Sequence, residues 1–255
     1  MLFENCRFNG STFKGAKWMS FGSHPAITGC SFDGCVFKNL TFSSATFKNC
    51  TFNELKKTSR LKFYACPLLE NCHFSGEICK AQIDAEAMKN CTFSGTLTDC
   101  MFENSGLPDT PVPMENIDCT QAELILCGIQ NYDFSAVKVS KNNCLARVTD
   151  ELHRRALEIA AQASENREKL LDHVESDCRV HPQAPFHICH PDDLIRVGNG
   201  KHYTPEFSRQ LYDCICRAAE ETGTRIHLSR PFAGRPSEIR FLLCRNCVFR
   251  NVIPA

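Results

Sequence analysis

Residues 30–54 read CSFDG CVFKN LTFSS ATFKN CTFNE, which is five successive groups of five residues. A phenylalanine lies at the centre of every group, and a cysteine, leucine or alanine lies two positions before it. A period of five matches neither the 3.6-residue period of a helix nor the two-residue period of a strand. The pattern favours a chain that turns a corner every five residues. One bulky and one compact side chain would then fill each side of a narrow coil.

The same repeat extends on both sides of this stretch. Groups at 122–126 and 132–136 are degenerate, and the pattern is lost at 19–28, 55–69 and 105–115. We expect loops that bulge from the coil at those three interruptions. The other aromatic centres of the repeat are Phe8, Phe13, Trp18, Phe74, Phe93 and Phe102.

This five-residue repeat resembles the pentapeptide-repeat family, and the resemblance covers approximately residues 1–136. It implies a right-handed quadrilateral β-helix with four pentads per coil, which we place at 1–141. Solenoids present an extended surface that binds partners and contain no active-site cleft. Free cysteine behaves as a small buried hydrophobe, so the pentad cysteines are predicted to form a core ladder. They include Cys6, Cys30, Cys35, Cys50, Cys72, Cys91 and Cys100.

Composition excludes several classes of protein. The 255 residues contain 29 Lys plus Arg and 29 Asp plus Glu, so the chain lacks the basic footprint of a nucleic-acid-binding protein. Lysines at outward positions, such as Lys14 and Lys38, also argue against an acidic DNA mimic. No apolar run is long enough for a transmembrane helix, and the N-terminus lacks a Sec signal peptide. With no export signal, we expect the 18 cysteines to be mostly reduced.

Helical spacing replaces the repeat after Asn142. Apolar residues recur every three or four positions from Val148 to Val174, and Thr149 is a suitable N-cap. We therefore predict a helix within 142–178 that caps the open end of the coil and separates it from the last segment. Two histidines on this helix, His153 and His173, are interpreted as surface residues.

The segment 179–255 predicts a small α+β domain. Residues 193–203 read DLIRV GNG KHY, and Asn-Gly between two short extended runs indicates a β-hairpin. A helix follows, with Thr204 as its N-cap, Pro205 at its first position and Gly223 after its end. A loop and an apolar strand complete the segment.

This order of elements resembles the U-box, a zinc-free relative of the RING finger, and most closely the U-box-like domains of NleG-type secreted effector ubiquitin ligases. The resemblance covers approximately residues 185–253. In the first loop of this segment, FHICHP at 186–191 stands where that family has Cys-Pro-Ile. The second loop lacks one Pro and the Glu that the family has there. The matching motifs are Gly200 with Tyr203, Leu211-Tyr212-Asp213, His227-Leu228-Ser229-Arg230-Pro231 and Cys247-Val248-Phe249.

The U-box resemblance implies an E3 ubiquitin ligase without a covalent catalytic residue or a cofactor. Such a domain binds a ubiquitin-charged E2 and accelerates transfer by positioning. The implied ubiquitin-bracing residues are Arg230 and Arg235, and the β-helix would bind a host target protein. The resemblance also implies delivery by a bacterial secretion system into the host cell, with the host cytoplasm as its location. The implied E2-binding residues are Ile188, Leu211, Tyr212 and Pro231.

Two other functional classes remain open on the residues alone. One is a non-enzymatic pentapeptide-repeat scaffold, for which Ile188 and Pro231 would be buried, whereas a ligase would expose them. The other is a cysteine-nucleophile enzyme, either a HECT-like ligase or a thiol protease using Cys178 or Cys189. The residues after Asn142 are too few for the two lobes of a HECT-like domain.

A zinc site is not expected from the cysteine spacing. Only Cys244 and Cys247 show the C-x-x-C spacing of zinc ligands, and a structural site needs a second suitably placed pair.

Overall fold

A β-solenoid occupies the first half of the chain. The computed structural model describes residues 2–15, 17–18, 24–105, 111–197 and 202–226. Between Leu2 and Val139 the chain winds through about six coils, which confirms the solenoid predicted from the five-residue repeat. Helices follow from Asp150 onward. Within the described ranges, no helix is both long and apolar enough to cross a membrane.

The solenoid strands form three parallel sheets, because each strand pairs with the equivalent strand of the neighbouring coil. Strands are numbered along the chain. The five-stranded sheet contains β1 (Leu2–Glu4), β4 (Ala26–Thr28), β7 (Thr46–Lys48), β10 (Leu68–Glu70) and β13 (Met88–Lys89). The seven-stranded sheet contains β2 (Thr12–Lys14), β5 (Val36–Lys38), β8 (Thr51–Ser59), β11 (His73–Cys79), β14 (Thr92–Thr98), β17 (Asp118–Ile125) and β20 (Lys138–Val139).

The third sheet has six strands and forms a separate face of the solenoid. It contains β3 (Lys17–Trp18), β6 (Thr41–Ser43), β9 (Lys62–Cys66), β12 (Gln82–Ala85), β15 (Met101–Glu103) and β18 (Gly128–Gln130). A short pair, β16 (Val112–Pro113) and β19 (Tyr132–Asp133), lies beside the last coils.

Phenylalanine rings fill the interior as a continuous column. Neighbouring rings of this column are stacked with centroids 4.8–4.9 Å apart. Stacked and edge-on ring pairs are favourable in addition to the area that they bury. The column therefore holds each coil at the same radius as the coil before it. Its members are Phe8, Phe32, Phe52, Phe74 and Phe93.

The pentad cysteines form the predicted ladder beside these rings. The thiol of Cys50 donates to the Ile27 carbonyl oxygen at 3.3 Å, and the thiol of Cys91 donates to the Leu69 carbonyl oxygen at 3.5 Å. Each bond therefore reaches the preceding coil. Cys6 in the first coil is only partly buried, and every cysteine that the structure describes is free. Burial raises the pKa of the Cys66 thiol to about 12, so this thiol is protonated at neutral pH.

Glycines allow the long strands to turn a corner without leaving the sheet. In β14 Phe93 and Leu97 are buried but Gly95 between them is exposed, whereas all three would face the same side of a straight strand. Gly95 lies at this corner with φ +82°, and it is stacked on Gly76 of β11, which has φ +109°. A Cβ on Gly95 would lie 2.5 Å from the Gly76 carbonyl oxygen. Only glycine fits both the backbone conformation and the contact.

The prediction of a loop at 55–69 is wrong. Residues of β8, β9 and β10 occupy most of this range, and Leu55, Leu61 and Phe63 are buried. The pairing of β8 with β11 instead shifts register on either side of Gly76. Extra residues are therefore absorbed as β-bulges, because apolar side chains continue to fill the interior. Of the other two expected loops, 19–23 and 106–110 lie outside the described residues, and the described remainder includes the strands β4 and β16.

A helical cap covers the end of the solenoid. It contains α1 (Asp150–Ala161), α2 (Arg167–Asp177), α3 (Asp193–Arg196), α4 (Pro205–Glu221) and an antiparallel pair, β21 (Cys144–Arg147) with β22 (Phe186–Cys189). The helices α1, α2 and α4 share one core with this strand pair. Thr149 caps α1 as predicted, since its hydroxyl accepts from the Leu152 N–H at 3.1 Å.

Two expectations for the cap are wrong. The single helix predicted within 142–178 is two helices, because the polar stretch at 164–168 offers nothing to bury and Asn166 adopts φ +57°. The first strand of the predicted hairpin is instead the short helix α3, whose Leu194 turns into the core. The Asn-Gly turn and the strand predicted after residue 226 lie outside the described residues. By contrast, α4 has the predicted Thr204 cap and starts at Pro205.

Asn143 joins the cap to the last coil. Its side-chain oxygen accepts from the Leu124 N–H at 3.1 Å, and its amide donates to the Leu124 carbonyl at 2.8 Å and the Cys189 carbonyl at 3.4 Å. The side chain is 3% exposed, so these groups have no access to water. Asn143 therefore replaces the hydrogen bonds that a further coil would supply.

We predict that Gly95→Ala destabilises the solenoid far more than Gly15→Ala. Both glycines have positive φ, which costs an alanine about 1–2 kcal/mol, but a Cβ on Gly15 meets nothing within 4 Å. At Gly95 the contact with Gly76 should bring the loss of unfolding free energy above about 4 kcal/mol. Urea denaturation of the two variants measures the difference. Equal losses would contradict the close contact at this corner.

We also predict that Asn143→Leu lowers the free energy of unfolding by about 3–5 kcal/mol, because each buried polar group left unpaired costs about 1–3 kcal/mol. The matched control is Asn142→Ala, since Asn142 is exposed and donates only to Glu123. Its effect should stay within about 0.5 kcal/mol. Thermal and urea unfolding compare the two, and a stable Asn143→Leu protein would show that the joint is not held by this residue.

Candidate functional site

A groove lies between the last coils of the solenoid and the helical cap. Its cavity has a volume of about 430 Å³. Met101 and Gly128 line it from the solenoid, His173 lines it from α2, and residues 187–190 line it from β22. The wall formed by α4 includes Leu211 and Tyr212. The groove is therefore the place where the two parts of the molecule meet.

Three residues predicted from the U-box resemblance line this one groove. Ile188 and Leu211 are each 5% exposed, and Tyr212 is partly exposed. Ile188 lies on β22 and packs against the solenoid core, whereas Leu211 belongs to the core of the cap. Neither side chain supplies the exposed apolar patch expected of a ligase, because both are enclosed by neighbouring elements. Their role in binding an E2 stays a prediction.

The remaining predicted site residues cannot be placed in this groove. Pro231, Arg230 and Arg235 lie outside the described residues, and so do Cys244 and Cys247.

A buried histidine and two carboxylates hold the polar side of the groove. The His190 Nε2 lies 2.7 Å from the Glu123 carboxylate, and its Nδ1 accepts from the Asp192 N–H at 3.1 Å. Because Nδ1 accepts, the neutral ring carries its proton on Nε2 and donates it to Glu123. Sequence reasoning missed this contact, since nothing in the spacing of His190 and Glu123 indicates that they meet.

Asp193 fastens the same region to the solenoid. Its carboxylate accepts from the His190 N–H at 2.7 Å and from the Leu126 N–H of the last coil. Burial raises the pKa of this carboxyl above its ordinary value, although the two hydrogen bonds and the nearby histidines partly offset that effect. Asp193 acts as a structural tie, and it sets the position of α3 at the mouth of the groove.

Three cysteines meet at the inner wall of the groove. Cys144 on β21 is the register partner of Cys189 on β22, and Cys216 reaches them from α4. Their sulfur atoms all lie within 4.8 Å of one another, and all three residues are buried. Cys189 also lines the groove. Complete helices or strands separate these three cysteines along the chain, so no short sequence motif indicates the cluster.

The cluster changes the protonation of its members. The thiols of Cys189 and Cys216 hydrogen-bond the Cys144 sulfur, and these bonds lower the pKa of Cys144 despite its burial. The neighbouring Cys144 thiol raises the pKa of Cys216 to about 12, and Cys189 and Tyr212 partly offset this effect. The same bonds to Cys144 raise the pKa of Cys189 well above its ordinary value. Negative charge is therefore favoured at the Cys144 sulfur.

Neither cysteine considered as a nucleophile has the environment that such a residue needs. Catalytic cysteines are thiolates in partly exposed, electropositive surroundings. Cys178 is fully buried, and burial raises the pKa of its thiol. Cys189 is 4% exposed and its pKa is also raised. Both are therefore protonated and enclosed at neutral pH.

Comparison with known proteins assigns no family to the chain. No protein-family model matches the sequence, and no curated protein matches it.

Proposed function

We propose that this chain is a protein-binding pentapeptide-repeat protein, in which the six-stranded face of the solenoid binds a partner protein. One observation carries the proposal. Among the described residues, four large apolar side chains are exposed, and two of them, Tyr64 and Met101, lie on this face. Tyr64 is 48% exposed on β9, and Met101 is 37% exposed on β15. Aromatic residues and methionine are enriched in protein interfaces.

The charges of the solenoid favour a protein partner over a polyanion. On the five-stranded sheet, Lys48 pairs with Glu70 at 2.9 Å, and Lys89 lies 2.8 Å from Glu115 in the next coil. Alternating charges on successive coils neutralise one another, so this sheet presents no continuous field of one sign. Recognition of nucleic acid depends on such a basic field. The equal numbers of basic and acidic residues in the whole chain agree with this.

The six-stranded face is also rigid enough to bind without reorganisation. Each of its strands is paired with the strands of neighbouring coils, for example Gln82 with Lys62 and Met101. A backbone that is already ordered loses little freedom on binding. Tyr64 and Met101 would therefore act as contact residues within a polar surround that includes Lys62 and Gln82.

We predict that Tyr64→Glu weakens binding to the partner protein by about 30-fold, the effect of a contact residue worth about 2 kcal/mol. A photo-crosslinking amino acid at position 64 identifies the partner, and surface plasmon resonance then measures its affinity. The matched control is Lys38→Glu, since Lys38 is exposed on the seven-stranded sheet. Unchanged affinity for Tyr64→Glu, or equal losses for both variants, would contradict the proposed face.

A second candidate is the E3 ubiquitin ligase, acting as a bacterial effector in the host cytoplasm with a host protein bound to the solenoid. The observation that favours it is the convergence of Ile188, Leu211 and Tyr212 on one groove. Ile188 lies on a different element from the adjacent pair Leu211 and Tyr212, and all three were selected only by the U-box resemblance. A ligase of this kind recruits a ubiquitin-charged E2 and needs no nucleophile of its own, consistent with the enclosed cysteines.

For the ligase, we predict ubiquitin ladders when the chain is incubated with ubiquitin, E1, ATP and a panel of E2 enzymes. Pro231→Ala should abolish the ladders because it removes an implied E2 contact. Tyr64→Ala is the control, since autoubiquitination does not require the target-binding face. If a chain that is folded by circular dichroism forms no ladder with any E2, the ligase assignment fails while the protein-binding proposal stands.

A further inference from the structure

We propose that the sulfur atoms of Cys144, Cys189 and Cys216 bind a zinc ion, which fastens strands β21 and β22 to helix α4. This site is independent of the proposed binding function. It also differs from the C-x-x-C pair at Cys244 and Cys247, the only zinc-like spacing in the sequence.

The geometry of the three sulfurs suits zinc. Zinc binds thiolates at about 2.3 Å in a tetrahedral arrangement, which places ligand sulfurs about 3.8 Å apart. All three sulfurs already lie within 4.8 Å of one another, so each needs to move by only about an ångström or less to complete the set. Soft thiolate ligands select zinc or Cu(I) over magnesium and calcium.

The surroundings hold the three ligands rigidly. Cys144 and Cys189 are opposite one another in an antiparallel pair, and Cys216 lies within the 17-residue helix α4. Their exposed fractions are 0%, 4% and 7%. Ligands on regular elements are positioned more precisely than ligands on loops. A metal at this point would connect three elements that are far apart in sequence.

These cysteines differ from the solenoid cysteines in arrangement. Ladder thiols such as Cys50 and Cys91 follow one another along a column, and each donates to a main-chain carbonyl of the preceding coil. The cap sulfurs instead converge in a triangle from three different elements. In the part of the chain that the structure describes, this is the only group of three metal-ligating side chains so close together.

The neighbours of the cluster complete the arrangement. Tyr212 lies one helical turn before Cys216 on α4, so its side chain neighbours this ligand as outer residues of metal sites do. Three thiolates and Zn²⁺ carry one net negative charge, and the Arg225 guanidinium interacts electrostatically with Cys144 and Cys216 while also pairing with Glu220. The three sulfurs leave one position of a tetrahedral zinc for a light atom such as a water oxygen.

Metal analysis of the full-length chain tests the proposal. The protein is purified in reducing buffer, loaded with zinc and dialysed, and the metal is measured by mass spectrometry. We expect one zinc ion per chain. Substitution with Co²⁺ should produce sulfur-to-cobalt charge-transfer absorption and the intense visible bands of a tetrahedral site.

Two variants on the same helix provide a matched comparison. Cys216→Ala should weaken zinc binding more than about 100-fold, because even the loss of an outer residue costs about 10–100-fold. Cys214→Ala is the control, since Cys214 is equally buried and donates to the Ala156 carbonyl oxygen outside the cluster. A third variant, with both Cys244→Ala and Cys247→Ala, should retain its zinc.

X-ray absorption of the zinc-loaded wild-type chain decides the question even if Cys216→Ala does not fold. Three sulfur ligands and one light atom would support the site. Failure to bind zinc in reducing buffer would overturn it. Full zinc binding by Cys216→Ala, or loss of zinc only in the variant lacking Cys244 and Cys247, would overturn it as well.

Discussion

The stacking of one coil directly on the next is the constraint on which the rest of this structure depends. A solenoid of constant cross-section requires side chains of nearly the same size at equivalent positions in every coil. The phenylalanine column meets this requirement from Phe8 to Phe93, with ring centroids 4.8–4.9 Å apart. That spacing equals the distance between paired strands, so ring stacking and main-chain hydrogen bonding reinforce one another. The corner glycines follow from the same closeness, because adjacent coils leave no room for a Cβ.

A stack of this kind has an unpaired edge, and the cap shows how the chain covers it. Exposed edges of parallel sheets invite pairing with other chains. Here the Asn143 side chain hydrogen-bonds the main-chain N–H and carbonyl of Leu124, and the Asp193 carboxylate accepts from the Leu126 N–H. Both ties are side-chain contacts, buried at Asn143 and partly buried at Asp193, rather than a further strand ladder. The groove lies beside them, between the last coils and the cap.

Cysteine serves two structural purposes in the same molecule. In the solenoid it is the compact partner of phenylalanine, and its thiol bonds the carbonyl of the coil below. In the cap, three cysteines from different elements meet at one point beside Tyr212 and Arg225. The chemical difference lies in arrangement, since a column of thiols fills space whereas a triangle of sulfurs offers ligands to one ion. Burial alone does not distinguish these two cases.

Much of the architecture could be predicted from the sequence, whereas the candidate site could not. The five-residue period predicted the solenoid because each inward position acts locally, and the Thr149 and Thr204 caps were correct for the same reason. The loop at 55–69 and the first hairpin strand were wrong, because burial of Leu55, Leu61 and Leu194 overrode local signals. The single helix was wrong because the polar stretch at 164–168 has nothing to bury. The U-box motifs selected three residues that do line one groove, although two of them are enclosed. The meeting of Cys144, Cys189 and Cys216 was decided only by the tertiary structure, since strand register and helix packing bring together residues whose spacing carries no periodic signal.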